Sequence, residues 1–261
     1  MLQIRNLAVA YGKREIISDI SVDGLVPGTV TSLLGPNGTG KSTLLKALAG
    51  MARTPRGEIV LDGVSLSSAS LESRARQVVY LPQSLPAAVH LHVFESVLVA
   101  GNAAGHGSRR DRADVAQVYA LLERLGIGHL AMRYLDQLSG GQKQLVGLAQ
   151  ALIRKPRLLL LDEPLSALDL NYQFHVMDLL RDETRHHGLI TVIVLHDVNI
   201  ALRHTDHALL VRDGKLVGDG APQEVVTPAS LAEVYGVDGR IEYCSRGVPQ
   251  VLIDGLCEAV S

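Results

Sequence analysis

The chain has 261 residues, a formal net charge of −2 at pH 7 and 20% charged residues. That length is enough to bury a sizeable core, as one large domain or a core with one subdomain. The charge balance lacks the basic footprint of a nucleic-acid binder. The longest uncharged apolar runs, such as Ile190 to Leu195, fall far short of the ~20 residues that cross a bilayer. Cys244 and Cys257 form neither a metal-ligand spacing nor a disulfide framework, which points to a reducing, cytosolic compartment. The first dozen residues read as a strand, so no secretory leader is expected.

In chain order, residues 2–34 carry short alternating runs: Leu2 with Ile4, Leu7 with Val9, and Ile20 with Val22. These predict strands. Val30 to Leu34 is a buried-strand run, and Ser42 to Gly50 a helix. Gly57 to Gly63 predicts another strand, and Val78 to Leu81 a buried one. From about residue 86 to 155 no good strand occurs, and the stretch reads as a helical subdomain inserted into the core. Within it, Ala113 to Leu125 predicts a helix with Val115, Val118, Leu122 and Leu125 on one face and Gly126 as its stop. Gly101 to Asp111 reads as a polar, Gly-rich loop. A helix after Ser139 places Leu145, Leu148, Ala149 and Leu152 together. Leu158 to Leu161, Ile190 to Leu195 and Ala208 to Val211 then recur as buried strands, with a helix from Leu170 to His187 that ends at Gly188. Strands alternating with helices imply an α/β fold with a mostly parallel sheet covered on both faces.

Residues 35–43 read GPNGTGKST. Gly35, Gly40, Lys41 and Ser42 satisfy the G-x-x-x-x-G-K-[ST] phosphate-loop pattern, in the strand–loop–helix context that supports it. Glycines let the backbone wrap so that several N–H groups point at one anion. Lys41 supplies a cation for β- and γ-phosphates, the Ser42 hydroxyl can ligate Mg²⁺, and the helix N-terminus adds partial positive charge. Leu158 to Pro164 is a buried strand that delivers Asp162 and Glu163 at its C-terminal end, the edge where open α/β sheets bind ligands. Asp162 suits the Mg²⁺ shell, and Glu163 suits the orientation or deprotonation of an attacking water. Ser139 and Gln142 of LSGGQ form an S-x-x-Q capping box. Gly140 and Gly141 in that first turn cost about 1 kcal/mol each relative to Ala, which suggests a backbone kept bare for close approach. Bare amides at a helix start, with a serine hydroxyl, make an anion site.

In chain order, the phosphate loop, Gln83, Leu138 to Gln142, Leu158 to Pro164, Ser166 to Asp169 and His196 together resemble the nucleotide-binding subunit of an ATP-binding-cassette transporter over nearly the whole chain. The resemblance implies an α/β phosphate-loop ATPase core with a mostly parallel sheet, an antiparallel β lobe and an inserted helical subdomain. The ATPase domain would span 1–236, with the helical subdomain at about 86–155, and 237–261 would be a C-terminal extension. ATP and Mg²⁺ are the implied cofactors. Tyr11 would stack on adenine, and Gly35, Pro36, Asn37, Gly38, Thr39, Gly40, Lys41, Ser42 and Thr43 would cradle the phosphates. Gln83 would touch Mg²⁺ or water and sense the membrane partner. Ser139, Gly140, Gly141 and Gln142 would grip the γ-phosphate bound to a second copy, and Asp169, at the end of Ser166 to Asp169, would lie across that dimer. Glu163 matches the catalytic glutamate and His196 the switch histidine at the γ-phosphate. Ser42, Gln83 and Asp162 would form the metal set.

Two positions depart from the family pattern. Leu145 stands where a second basic residue commonly follows the signature, and Gln150 where an arginine is usual. The partners implied are a second copy, integral-membrane permease subunits that dock around Leu85 to Glu95, and a substrate-binding protein, with no nucleic acid. The location implied is the cytoplasmic face of the cell membrane, as a peripheral subunit. Val211 to Asp238 is similar to the tail of ATPases that serve importers of ferric siderophores, haem and cobalamin. Subunits for zinc, manganese or molybdate, an exporter's ATPase, and a soluble cassette acting on DNA or ribosomes are the alternatives.

Overall fold

The computed structural model describes residues 1–84, 89–103 and 113–257. The strands are β1 (Leu2–Tyr11), β2 (Arg14–Leu25), β3 (Thr29–Leu34), β4 (Arg56–Leu61), β5 (Val64–Ser65), β6 (Val78–Leu81), β7 (Leu158–Leu161), β8 (Ile190–Val194), β9 (His207–Arg212), β10 (Lys215–Gly220), β11 (Val237–Tyr243) and β12 (Pro249–Leu256). The main helices are α1 (Lys41–Leu48), α2 (Leu71–Gln77), α3 (Val93–Ala103), α4 (Val115–Arg124), α5 (Gly140–Leu152), α6 (Leu170–His187) and α7 (Val198–His204). Strands β1 to β10 form one sheet in the order β5-β4-β1-β2-β10-β9-β3-β8-β7-β6. Strands β9, β3, β8, β7 and β6 run parallel. β10 turns back antiparallel to β9 and meets β2 through Lys215 and Asp19, and β2, β1, β4 and β5 form the antiparallel lobe.

Period-two alternation divides the parallel strands between two cores. Leu33, Leu158, Leu160, Val192, Val194 and Leu209 pack with α1 and the antiparallel lobe. Leu34, Leu159, Leu161, Ile193 and Leu210 pack with α3 to α7 on the other face. Both faces are covered, so β7 reads as four leucines in a row with none exposed. The sheet curls around α1, and the phosphate-loop helix is therefore held between two layers.

Some sequence expectations shift. Leu2, Ile4, Leu7 and Val9 lie in one ten-residue strand, not in separate short ones. Asn6 sits at φ 46° inside it, with its N–H donated to Ser21 Oγ. The resulting bulge lets the buried alternation slip from even to odd positions without ending the strand. In α4, Val115 is exposed, because it opens the first turn beside the cap Asp114. The buried stripe is Val118, Leu121, Leu122 and Leu125. Gly101 to Ala103 close α3, so the first three residues of the loop expected from Gly101 are helical. Its residues 104–111 lie outside the described residues, as does Leu85 of the docking region. Gly188 at φ 61° ends α6 as expected.

The chain after β10 forms short helical turns over Pro222–Val225, Pro228–Ser230 and Leu231–Tyr235, then the β11–β12 hairpin. Asn199 of α7 ties this hairpin down. Its Nδ2 donates to Val251 O and its Oδ1 accepts from Val251 N.

Candidate active site

The phosphate loop follows directly from β3. Gly35 has φ 137°, and a Cβ there would sit 2.1 Å from the Val211 carbonyl oxygen, so only glycine fits. Gly38 and Gly40 also have left-handed φ values, 80° and 101°. Gly40 is the N-cap of α1, which leaves the helix's first amides facing the loop. Thr39 Oγ1 donates to Pro36 O and braces the turn. Lys41 is 5% exposed, and its Nζ donates to Gly35 O and Pro36 O, each at 2.7 Å. Burial pulls the Lys41 ammonium below its ordinary pKa of 10.5, and the charges of Glu163 and Asp162 oppose that shift. A cleft of about 300 Å³ opens over the loop. It is lined by Asn37, Gly38, Gly40, Lys41, Ser42, Thr43 and Glu163, with Tyr11 on its rim. Arg14 and Ile16, which motif reading did not single out, line it too. They follow the turn after Tyr11, and Arg14 pairs across the strands with it.

The two acids behind the loop have different surroundings. Asp162 continues the alternation of Leu158 and Leu160 onto the α1 face, where it is 2% exposed. Its Oδ1 accepts from Ser42 Oγ and its Oδ2 from Tyr80 OH, both at 2.9 Å. Among the described residues no Lys or Arg pairs with it within 4 Å. A buried carboxylate that meets two hydroxyls, with the Lys41 charge acting on it only from beyond ion-pair distance, fits a hard divalent cation with oxygen ligands. Tyr80 is the neighbour of Asp162 that motif reading missed. The signal was present: in VVYL, alternation puts Tyr80 with Val78 on the α1 face, on the strand next to β7. Burial and the Asp162 charge push its phenol far above the usual range, so it remains a donor.

Glu163 breaks the strand with φ 51° and turns to the cleft. Its Oε2 accepts from Gln83 Nε2 at 2.6 Å, and His196 Nε2 lies 2.8 Å from its Oε1. Gln83 leaves the end of β6 and His196 the end of β8, the strands on either side of β7. Three strand ends thus converge on one carboxylate. Among the described residues Gln83 is joined to Glu163, not to the Ser42–Asp162 pair. A polyphosphate anion held by the loop and a water beside Glu163 are the chemistry this arrangement can accommodate.

The remaining site residues lie elsewhere. Ser139, Gly141, Gln142 and Asp169 line a separate pocket of about 390 Å³ with Ala167 and Tyr172. The capping box is present: Gln142 N donates to Ser139 Oγ, and Ser139 N donates to Gln142 Oε1. Asp169 Oδ1 accepts from Tyr172 N and caps α6. The two glycines differ. A Cβ on Gly141 would come 2.7 Å from the Ala167 carbonyl oxygen, whereas one on Gly140 would meet nothing within 4 Å. Close approach at Gly141 is thus made by the chain itself, and only Gly140 is bare to the outside. Leu145, the departure after the signature, is buried against this pocket, and Gln144 beside it has a buried Nε2 without a partner among the described residues.

No helix among the described residues is long and apolar enough to cross a membrane. Residues 18–166 match the family model described as ABC transporter. The chain is 39% identical over 248 residues to a hemin import ATP-binding protein, HmuV, of Bordetella avium, covering 92% of this chain and 94% of the relative. It is 37% identical to the achromobactin transport ATP-binding protein CbrD of Dickeya dadantii, over 91% of this chain and 88% of that one. Among solved structures, one chain of an inward-facing ABC transporter, described as of the metal-chelate type, superposes with a TM-score of 0.79 at 25% identity, over 100% of this chain and 99% of the other. Phosphate loop, paired acids and separate signature pocket sit on the cassette fold these relatives share, and the chain belongs to the ABC transporter family as one of its ATP-binding, ATP-hydrolysing subunits.

Proposed function

We propose that the chain is the ATPase of an importer for an iron chelate, of the siderophore or haem kind, working as a pair with a second copy of itself. The observation that carries the pairing is the separation of the two half-sites on one chain. Lys41 and Glu163 line one cleft, and Ser139 and Gln142 line a separate one. Neither half closes the other within a protomer, so each needs the facing half of a partner, in a two-fold arrangement. The cargo assignment rests on the relatives whose names carry hemin import and achromobactin transport. No residue here reads the cargo. A substrate-binding protein and permease subunits do that, at a membrane whose cytoplasmic face this subunit lines.

In this reading the loop amides and the Lys41 ammonium hold the β- and γ-phosphates of ATP, and Tyr11 stacks on the adenine. Ser42 and Asp162 are the residues that would hold Mg²⁺, with Gln83 near it once its bond to Glu163 is exchanged. When bound, Mg²⁺ neutralises phosphate charge and orients the γ-phosphoryl group. Glu163 orients the attacking water and takes its proton. His196 and Gln83 fix the carboxylate, and each would exchange that contact for the γ-phosphate or water as the site fills. Ser139 and the bare Gly140 amide of the second copy cover the γ-phosphate, with Gln142 supporting Ser139 and Asp169 beside them. Loss of that phosphate removes contacts from one half and lets the pair open.

The test is nucleotide-dependent pairing. In a Glu163→Gln background MgATP should shift the chain to dimer in light scattering, and ADP should not. Ser139→Arg should abolish the shift by filling the anion site. A dimer indifferent to nucleotide and to Ser139 would overturn the reading.

A further inference from the structure

We propose that Tyr80 is a positioning residue for the metal half of the site, acting through Asp162. This rests on the assignment of Asp162 to the Mg²⁺ shell. Strand β6 sits at the sheet edge and pairs in parallel with β7, so that Tyr80 lies beside Leu160 and Leu81 beside Leu161. The next amide, Asp162 N, donates to Leu81 O and prolongs the ladder by one step. That register delivers the phenol of Tyr80 to the acid that follows β7. The carboxylate is almost sealed from solvent, so its orientation is set by the donors it meets. There are two. Ser42 takes Oδ1 and Tyr80 takes Oδ2, both at 2.9 Å.

The two donors are not equivalent. Ser42 belongs to the phosphate loop and is itself a metal-ligand candidate, so its bond to Asp162 must readjust when a cation arrives. Tyr80 belongs to the rigid sheet and has no such second duty. With Oδ2 fixed by the phenol, Oδ1 stays turned to Ser42 and the cleft. Without it, the carboxylate can rotate, and a buried acceptor loses the one partner it has among the described residues. Three residues along the same strand end, Gln83 holds Glu163. Strand β6 and the turn that leaves it therefore carry one donor for each of the two successive acids, the phenol for the metal half and the amide for the hydrolytic half.

A purely structural role would make Tyr80→Phe lower stability and weaken every ligand alike. A positioning role predicts a selective loss. The probe is Mn²⁺, followed by electron paramagnetic resonance, with a non-hydrolysable ATP analogue at saturation. Tyr80→Phe should weaken Mn²⁺ binding by about 10-fold or more, the scale for removing an outer-shell partner. Binding of the analogue without metal should stay within about twofold of the parent, and the unfolding midpoint reports whether the fold is intact. Asp162→Asn should weaken Mn²⁺ at least as much. Adding Tyr80→Phe to Asp162→Asn should cost less than about twofold more, because the two share one path. The proposal is overturned if Tyr80→Phe leaves Mn²⁺ affinity unchanged while Asp162→Asn weakens it. It is also overturned if the two losses multiply independently, or if metal-free binding falls equally. If Asp162→Asn itself leaves Mn²⁺ affinity unchanged, the assignment of Asp162 falls first and Tyr80 with it.

Discussion

Gly140 and Gly141 adjoin in sequence and face different neighbours, so alanine should act oppositely at the two. Gly141→Ala would press a methyl onto the Ala167 carbonyl and should lower the denaturant midpoint. Gly140→Ala meets open space in the single chain. It should raise stability by about 0.5–1 kcal/mol through a less flexible unfolded chain, while weakening ATP-dependent pairing if a phosphate must reach that amide. Unfolding curves and light scattering on the same samples separate the two effects. The Lys41 and Glu163 roles separate in the same manner. Lys41→Ala should weaken nucleotide binding by removing the phosphate cation. Glu163→Gln should keep binding and slow hydrolysis by about 10² to 10⁴-fold if the carboxylate is the general base. Binding titrations and phosphate release measure these, and equal loss of binding in both variants would contradict the assignment. At this scale the sequence was legible wherever chemistry demands a residue type, as at Gly35 or Lys41. It was less so where a neighbour's placement decides, as with Tyr80 or the carbonyl beside Gly141.

Helix α7 illustrates how an element can carry a pH dependence far from chemistry. His204 closes it, 3% exposed, packed edge-on against Phe174 of α6. Burial holds its imidazole below the ordinary 6.5. Asp178, whose Oδ1 lies 3.3 Å from Nδ1 without the alignment of a hydrogen bond, pulls the other way, and Arg181 and Arg203 add to the depression. With the folded value below the unfolded one, the unfolded chain takes up the proton first as pH falls. The stability contribution is therefore full above about 6.5 and drains away towards the folded pKa. The melting temperature should fall between pH 6.5 and 5, and His204→Gln should flatten that slope. A slope unchanged by the substitution would place the titration elsewhere. Long periodic elements were readable: α6 ends at Gly188, and β7 is a run of leucines, because periodicity and stop signals agree there. The β1 bulge at Asn6 was not, because a single left-handed residue shifts register without any change in composition. Val115 was misplaced because a first-turn position beside a cap lies off the packed stripe. The β11–β12 hairpin went unread although Val237, Gly239, Ile241 and Tyr243 alternate with Asp238, Arg240 and Glu242, because most of both strands stays exposed and no strong apolar run marks them.

For the whole molecule, the mostly parallel sheet and the order of motifs were fixed by local patterning, whereas the curl that sandwiches α1 depends on tertiary packing between distant strands. The cargo sits at this scale and outside the chain. Deleting the gene should impair growth when a siderophore, haem or cobalamin is the limiting nutrient, and a Glu163→Gln copy should not restore it. A defect in zinc, manganese or molybdate uptake with all three intact would reassign the cargo and leave the ATPase intact. The amide pair between Asn199 and Val251 offers a way to watch such a stroke without labelling the active site. The Val251 N–H is donated outward to Asn199 Oδ1, so it can swap its hydrogen for deuterium only when α7 and the terminal hairpin part company. Asn199 lies in the first turn of α7, three residues after His196 and just past the cap Asp197. The isotope clock at Val251 should therefore tick more slowly with ATP than with ADP if His196 is drawn towards the nucleotide and α7 settles, and Asn199→Ala should set it running freely in either state.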